Sequence, residues 1–374
     1  MASMSDTSAY GPDGQHTSEE SQQANASTDL EDAGPCANNI VRDYLLENVE
    51  EFRRLHALRR KGWERPEGDK HFKKQRQSAD KSSEKDSLFF YGMMRNIAKD
   101  LNKKTQALNL SNIQQPALLD MCAAPGGFID AALTGNPRLR VRAMSLPVER
   151  GGHKIRLGIN VNVEFRDITT LADDMGITRD DIPGNFPGPH DFVFTKVFDD
   201  NEKYDLVFCD GQLLRTHQRA EWREPREANR LTLIQLALGL DHLNNGGSMI
   251  ILMHKLDSWR CFDLIHQFSK MSTVQLFKHR KNHRIRSSFY LVAKNVQADS
   301  AFAKQMVSMW KQQYKIATFG TNEEYAEMHQ ITEETALKEL EEFADEYVAM
   351  GKEIWKIQAD GLENAAFMKH GSEG

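Results

Sequence analysis

Three groups of residues in this 374-residue chain carry types and spacings that could do chemistry. The first is the run Leu119-Asp120-Met121-Cys122-Ala123-Ala124-Pro125-Gly126-Gly127-Phe128. Gly126 and Gly127 lack a Cβ, so the backbone can come close to a ligand and adopt torsions closed to other residues. Ala123 and Ala124 are small and keep the surface open. A loop of this kind, where a strand turns into a helix, lies at the carboxyl edge of an open α/β sheet, where ligands collect. It is no phosphate loop, because it has neither GxGxxG nor the GxxxxGK pattern. The second group is Asp210, which ends the apolar run Tyr204–Cys209. A carboxylate in that position is costly to bury without a role. The third is the basic run Lys278–Arg286, in which Arg280, Lys281, Arg284 and Arg286 could neutralise phosphates without reading sequence, or could form a solvated surface.

Other chemistries are excluded by what is missing or misplaced. Cys36, Cys122, Cys209 and Cys261 are scattered and no two share a CxxC spacing, so a structural zinc site is not expected and no metal is assigned. They read as free thiols in a reducing compartment, and the N-terminus lacks a basic start with an apolar core, so residence is expected to be intracellular, either cytoplasmic or nuclear. With 40% hydrophobic and 27% charged residues, and no apolar run near the roughly 18 residues a bilayer requires, no membrane span is expected.

The net charge of −6 argues against a general nucleic-acid coat, but the charge is unevenly placed. Residues 53–81 hold 11 Lys/Arg against 4 Asp/Glu, and 321–374 hold 14 Asp/Glu against 4 Lys/Arg. The first region could meet a polyanion; the second, an acidic helix, could pack on the domain or on a protein partner.

The elements that position these groups follow from periodicity. Residues 1–38 are polar and small, and are expected to be a disordered tail. Over 39–87, Ile40, Val41, Tyr44, Leu45, Val49, Phe52 and Leu55 predict an amphipathic helix that runs into a basic linker at about 62–86. Over 88–294, a helix near 88–101 precedes short apolar runs near 118–122, 139–145, 161–166, 204–209, 247–253, 272–278 and 288–293. Seven strands alternating with helices predict an α/β fold with a mostly parallel, doubly wound sheet. The spacing predicts a helix over Arg230–Leu243, ended by Asn244-Asn245-Gly246-Gly247. Residues 295–374 read as an acidic helical extension, with Thr332 as an N-cap and Leu337, Leu340, Phe343, Tyr347, Ile354 and Ile357 as its apolar stripe.

The loop 119–128, followed by this strand order over roughly 88–294, resembles the cofactor loop of FtsJ-like RNA methyltransferases, in which an acidic strand end precedes Ala-Ala-Pro-Gly-Gly and an aromatic residue. The resemblance implies a Rossmann-like methyltransferase fold that uses S-adenosyl-L-methionine and acts on RNA, with ribose 2′-hydroxyls as acceptors. It implies cofactor contacts from Asp120, Ala123, Pro125, Gly126, Gly127, Phe128, Asp167 at the adenine, and Asp210 beside the methionine and its methyl. Ser145 stands where many relatives carry an acid for the ribose, and Glu149 is the nearby substitute. The family's Lys-Asp-Lys-Glu tetrad is altered. Asp210 carries over, Leu252 occupies the second lysine's position with Lys255 as the nearest substitute, Ser288 replaces the glutamate, and Tyr91, Arg95 and Lys99 are the candidates for the first lysine. The resemblance assigns catalysis to Asp210 and Lys255, and the altered tetrad leaves open a fold that binds RNA or protein without chemistry. RNA cytosine-5 methyltransferases share the Asp-Met-Cys-Ala-Ala-Pro-Gly-Gly string, but they need a nucleophilic cysteine, and Cys209 precedes Asp210 on an apolar strand with nothing nearby to activate it.

Overall fold

The computed structural model describes residues 35–68, 70, 71, 73, 84–158 and 161–369. The tail expected over 1–38 falls outside these residues as far as 34, and about half of the expected linker falls outside them as well. From Pro35 the chain is helical, four residues earlier than the periodicity suggests. Ala37 is already buried and Asn38 Oδ1 accepts the Trp259 backbone N–H at 2.8 Å, so tertiary contact extends the helix past its polar start.

The single amphipathic helix expected over 39–87 is two, α1 (Pro35–Asn48) and α2 (Glu50–Trp63), with Val49 in an extended conformation between them. Next come α3 (Glu84–Thr105), β1 (Ala117–Asp120), α4 (Gly127–Gly135), β2 (Arg140–Ser145), β3 (Asn162–Phe165), β4 (Tyr204–Cys209), α5 (Glu227–Asp241), β5 (Leu243–Met253), α6 (Trp259–Ser269), β6 (Thr273–Phe277) and β7 (Phe289–Lys294). Helices α7 (Ala301–Phe319), α8 (Asn322–Met328), α9 (Glu333–Glu363) and α10 (Ala366–Lys369) complete the chain. Helix α5 stops at Asp241, and Asn244–Gly247 belong to β5, because Gly246 takes φ +84° inside the strand's irregular start.

The seven strands form one sheet in the order β3-β2-β1-β4-β5-β7-β6, parallel except where β7 runs antiparallel to both β5 and β6. Alternation along each strand sorts the side chains into two cores. Leu118, Leu206, Phe208, Ile250, Tyr290 and Val292 face α3 and α4, while Leu119, Val207, Met249, Ile251, Leu291 and Ala293 face the other layer of helices. Helices on both faces of a mostly parallel sheet make this a doubly wound, Rossmann-like architecture.

On its described part, the basic region at 53–81 meets the acidic C-terminal helix of the same chain through some of its arginines. Arg54 pairs with Asp360 and Glu363 at 2.6 Å each, Arg59 reaches Asp257 at 2.8 Å and Gln358 at 3.0 Å, and Arg65 donates to the Met368 carbonyl at 2.7 Å. Beneath these pairs Trp355, 1% exposed, packs edge-on against Phe52 and Tyr347. On α9, capped by Thr332 as its sequence suggests, Leu340, Phe343, Tyr347 and Ile354 are buried. Leu337 is 50% exposed, because the packed face has rotated past it. Among the described residues no helix is long and apolar enough to cross a membrane.

Trp355→Ala should cost about 3–5 kcal/mol, the range for removing a buried aromatic from a core. Urea denaturation would measure it, and faster amide exchange confined to α1, α2 and α9 would show that this residue ties the terminal helices together.

Candidate functional site

The loop after β1 has the strand-to-helix geometry that its sequence implies, and its two glycines are there for different reasons. Gly126 takes φ +104°, a left-handed conformation that disfavours side chains, and a Cβ there would lie 2.8 Å from the Leu157 side chain. Gly127 has no such torsion. A Cβ on it would press within 2.6 Å of the Tyr91 carbonyl and 2.7 Å of the Arg95 backbone nitrogen, so its small size lets α3 cross the start of α4. Phe128 is buried, with its ring 5.4 Å from Phe208 and 5.3 Å from Tyr290. It supports the loop from below, and a ligand above the loop would meet its backbone.

Asp120 and Asp210 end neighbouring parallel strands. Asp120 pairs with Phe208 in the ladder, and Asp210 follows two residues later on the same face. Asp120 is 2% exposed and accepts the Cys122 N–H at 3.0 Å. Burial, with Asp210 beside it, holds the Asp120 carboxyl well above the usual carboxylate range. Burial raises Asp210 too, and among the described residues no cation lies close enough to pull it back. The same two charges, after burial itself, push the Cys122 thiol up. Cys209 is buried, donates to the Gln235 carbonyl at 3.3 Å and is likewise raised by burial, so it remains a thiol and cannot serve as a nucleophile.

A strap crosses this loop. Residues 151–158, between β2 and β3, form neither helix nor strand, and the Arg156 backbone N–H donates to the Pro125 carbonyl at 3.0 Å while Leu157 covers Gly126. The Arg156 guanidinium reaches Ser87 at 3.1 Å on α3. The strap's other end is held by the loop after β4, where the Gln218 N–H donates to the Arg150 carbonyl at 2.9 Å and the Thr216 hydroxyl to the Gly151 carbonyl at 2.9 Å. The sequence reading missed this strap. Its one visible signal is Gly151-Gly152, whose added Cβ atoms would strike the backbone of Thr216 and Leu146.

Asp167 lies at the end of β3, buried, with both carboxylate oxygens already engaged. Oδ1 accepts from the Thr169 N–H at 3.2 Å and hydroxyl at 2.8 Å, and Oδ2 lies 3.1 Å from His217 Nε2 and 2.8 Å from an Arg223 nitrogen. The His217 and Arg223 contacts outweigh burial and hold its carboxyl well below the usual range. Arg223 passes the charge to Glu227, which Arg230 meets at 2.5 Å. Asp167 is thus one end of a buried ion network that fixes the β4–α5 loop. Ser145 is buried and Glu149 is exposed on a short turn beyond β2.

Leu252 faces the Phe128 core and is half-buried there, opposite Tyr290. Strand β5 ends at Met253, and Lys255 is exposed with φ +54°, so the chain has left strand geometry where that residue stands. Its charge acts on His254, whose Nε2 is 2.8 Å from Gln212 Oε1, two residues past Asp210. Ser288 is buried, and its carbonyl accepts from Lys278 Nζ at 2.6 Å. Arg95 pairs with Asp130 of α4, and Tyr91 lies near the same carboxylate. Of the basic hairpin, Arg280, Lys281, Arg284 and Arg286 are all exposed, and Arg280 reaches Glu353 of α9 at 3.0 Å. Because β6 runs with the parallel strands and β7 against them, this turn sits at the same carboxyl edge as Asp210.

Among solved structures the chain is similar to a ribosomal RNA methyltransferase, described as putative, from Plasmodium falciparum, at 16% identity over 53% of this chain and 93% of that one, with a TM-score of 0.34. It is also similar to human methyltransferase-like protein 13 in complex with SAH, at 10% identity over 59% and 92% with a TM-score of 0.33, and to an rRNA methylase from Streptococcus thermophilus, at 13% identity over 55% and 95% with a TM-score of 0.28. No curated protein matches the chain. The family model described as FtsJ-like methyltransferase matches residues 98–296, from the middle of α3 to just past β7 and more than half of the chain. The chain belongs to the FtsJ-like methyltransferase family.

Proposed function

We propose that the protein is an S-adenosyl-L-methionine-dependent methyltransferase acting on RNA, with ribose 2′-hydroxyls as acceptors. One observation carries the cofactor: two carboxylates, the buried Asp120 and the half-buried Asp210, both raised by desolvation with no described cation beside them, flank a glycine loop at the carboxyl edge of the sheet. Such a pair favours a ligand that brings positive charge. S-adenosylmethionine has two such charges, an ammonium and a sulfonium, and supplies an activated methyl group. Asp120 and Asp210 would hold those charges, while the backbone of Ala123, Pro125, Gly126, Gly127 and Phe128 lines the loop and Leu157 of the strap excludes water above it. Asp167, already saturated by protein donors, would reach an adenine amino group only as a further hydrogen bond on an occupied carboxylate.

For the acceptor, Asp210 would accept the hydrogen bond of the hydroxyl and orient its lone pair toward the methyl group. Lys255, on the turn after β5, would bring a positive charge to the acceptor oxygen from the opposite side. Lys281, Arg284 and Arg286 would neutralise phosphates at the rim, and Arg280 would do so less because Glu353 already meets it. A second reading, a fold that binds RNA without methylating it, draws on Leu252 in place of the family lysine.

Three outcomes are expected. Affinity for S-adenosylmethionine, followed by calorimetry, should rise as pH is raised from about 5 to 8, because the cofactor's positive charge favours the ionised carboxylates and binding releases a proton. A pH-independent affinity would remove the carboxylate pair from the site. Asp120→Asn should lose most cofactor binding yet unfold at a higher temperature. The raised folded pKa means that the wild-type pair loses stability as pH climbs above an unfolded aspartate's value of about 4, and the amide takes no part in that loss. In a tritiated-methyl assay on total RNA, Asp210→Ala and Lys255→Ala should each remove most turnover, and the double variant little more, since residues acting as one unit are not additive. RNA that binds with normal salt dependence but takes up no methyl on wild-type protein would favour the second reading.

A further inference from the structure

Away from the cleft, one group of side chains brings together atoms that a metal ion takes as ligands. It lies where α6, inside the family domain, meets α9 of the C-terminal extension. Each helix presents two such groups three residues apart, Asp263 and His266 on α6, Glu339 and Glu342 on α9. That spacing puts both members of a pair on one face of their helix. The two faces meet. His266 Nδ1 lies 2.6 Å from Glu339 Oε2 and His266 Nε2 lies 3.6 Å from Glu342 Oε1. One ligand atom from each of these three residues falls within 4.8 Å of the other two.

His266 is 3% exposed, and its ring stacks on Phe343 at 4.5 Å with 11° between the planes, so packing fixes the direction of its nitrogens. Despite their close approach, Nδ1 and Glu339 Oε2 are not aligned as donor and acceptor, and both are buried without a hydrogen bond. Buried polar atoms of this kind ordinarily bond to something. The charge of the seam points the same way. Asp263, Glu339 and Glu342 gather negative charge there, and Lys270, 3.6 Å from Glu339, offsets part of it. Burial first, and Glu339 as well, push the Asp263 carboxyl up, although Gln267 donates to it at 2.9 Å. The Asp167, His217 and Glu227 group differs, because Arg223 and Arg230 stand among its acids and balance them.

We infer that His266, Glu339 and Glu342 form a structural site for a zinc ion, with one ligand from each, that fastens α9 to α6. An imidazole nitrogen with carboxylate oxygens is a set that zinc accepts, whereas magnesium and calcium favour oxygen alone. Ligand atoms around a tetrahedral zinc stand roughly 3.4 Å apart, so the Nδ1–Oε2 contact would open slightly and Glu342 would close in. Both glutamates can make that adjustment, since their side chains reach solvent, at 25% and 58% exposure. A water completes the set, and Lys270 turns outward as the ion takes over its pairing. The site uses no cysteine and is independent of the methyl-transfer reading.

The test is a zinc titration of the full chain, stripped beforehand with a chelator, in competition with a chromophoric chelator and followed by thermal unfolding. Zinc should bind the wild-type chain and raise its unfolding temperature. Glu342→Gln, at the most exposed of the three positions, should fold normally and weaken zinc binding by about a hundredfold, no less than the loss of an outer-shell partner causes. His266→Gln should weaken it as much. Magnesium at the same concentration should leave the unfolding temperature where it is. Zinc affinity that is unchanged in both variants would put any bound ion elsewhere and overturn the site, as would a folded wild-type chain that binds no zinc. Stabilisation by magnesium equal to that by zinc would overturn the nitrogen-containing ligand set.

Discussion

Two carboxylates at the ends of adjacent parallel strands, Asp120 buried and Asp210 half-buried, without a described counter-charge, set the terms for the rest of this molecule. Burying one uncompensated ionised group is unfavourable, and placing a second beside it adds repulsion, so both carboxyls are shifted towards their protonated forms. Asp120 cannot move away, because it is the last residue of β1 and its Oδ1 accepts the Cys122 N–H that starts the loop. Asp210 is held by its own strand and by Gly211, whose N–H donates to Gln235 of α5 at 2.8 Å. A Cβ on Gly211 would fall 2.3 Å from the Cys122 sulfur, so the two loops touch where the carboxylates converge. The arrangement sacrifices stability at one point of the fold, the pattern expected of a site that is completed by its ligand.

The surroundings hold that point in place. On one side the Asp167–Arg223–Glu227–Arg230 network is nearly free of solvent and internally compensated, with each charge meeting its opposite. A buried network of this kind does little for net stability, but removing one member leaves an unpaired charge, so it defines position sharply. What it positions is the loop bearing His217 and Thr216, which in turn carries the strap. The strap is therefore anchored to the ends of both carboxylate strands, at Pro125 after β1 and at Arg150–Gly151 through the loop after β4. A ligand in the cleft would have to share that space with Leu157 or displace it.

Most of the fold could be read from the sequence because each strand is apolar, short and bounded by turn residues, and each observed strand overlaps the span expected for it. The edges failed where tertiary contact overrode local pattern. Asn244–Gly247 look like a helix stop followed by a turn but join β5, and Pro35–Asn38 look like tail but are helical because Ala37 and Asn38 have partners far along the chain. In the loop 119–128 the residue types were informative and the reasons less so: Gly127 makes room for α3, and Phe128 is core.

The two ends of the chain show the same dependence on three-dimensional context. Taken alone, 53–81 is a basic segment seeking an anion and 321–374 an acidic one seeking a cation, and each suggests an external partner. In the folded chain Arg54 and Arg59 on α2 find Asp360, Glu363 and Gln358 on α9, over a seam of Phe52, Trp355 and Tyr347. The exposed pairs in that seam are worth little individually, whereas the aromatic contact beneath them is worth several kcal/mol. The charges therefore act chiefly to choose which helix meets which, and burial supplies the stability. One consequence reaches the site: Glu353 of α9 meets Arg280, and a Cβ on Gly361 would lie 3.0 Å from Arg284, so α9 braces the outer side of the basic turn.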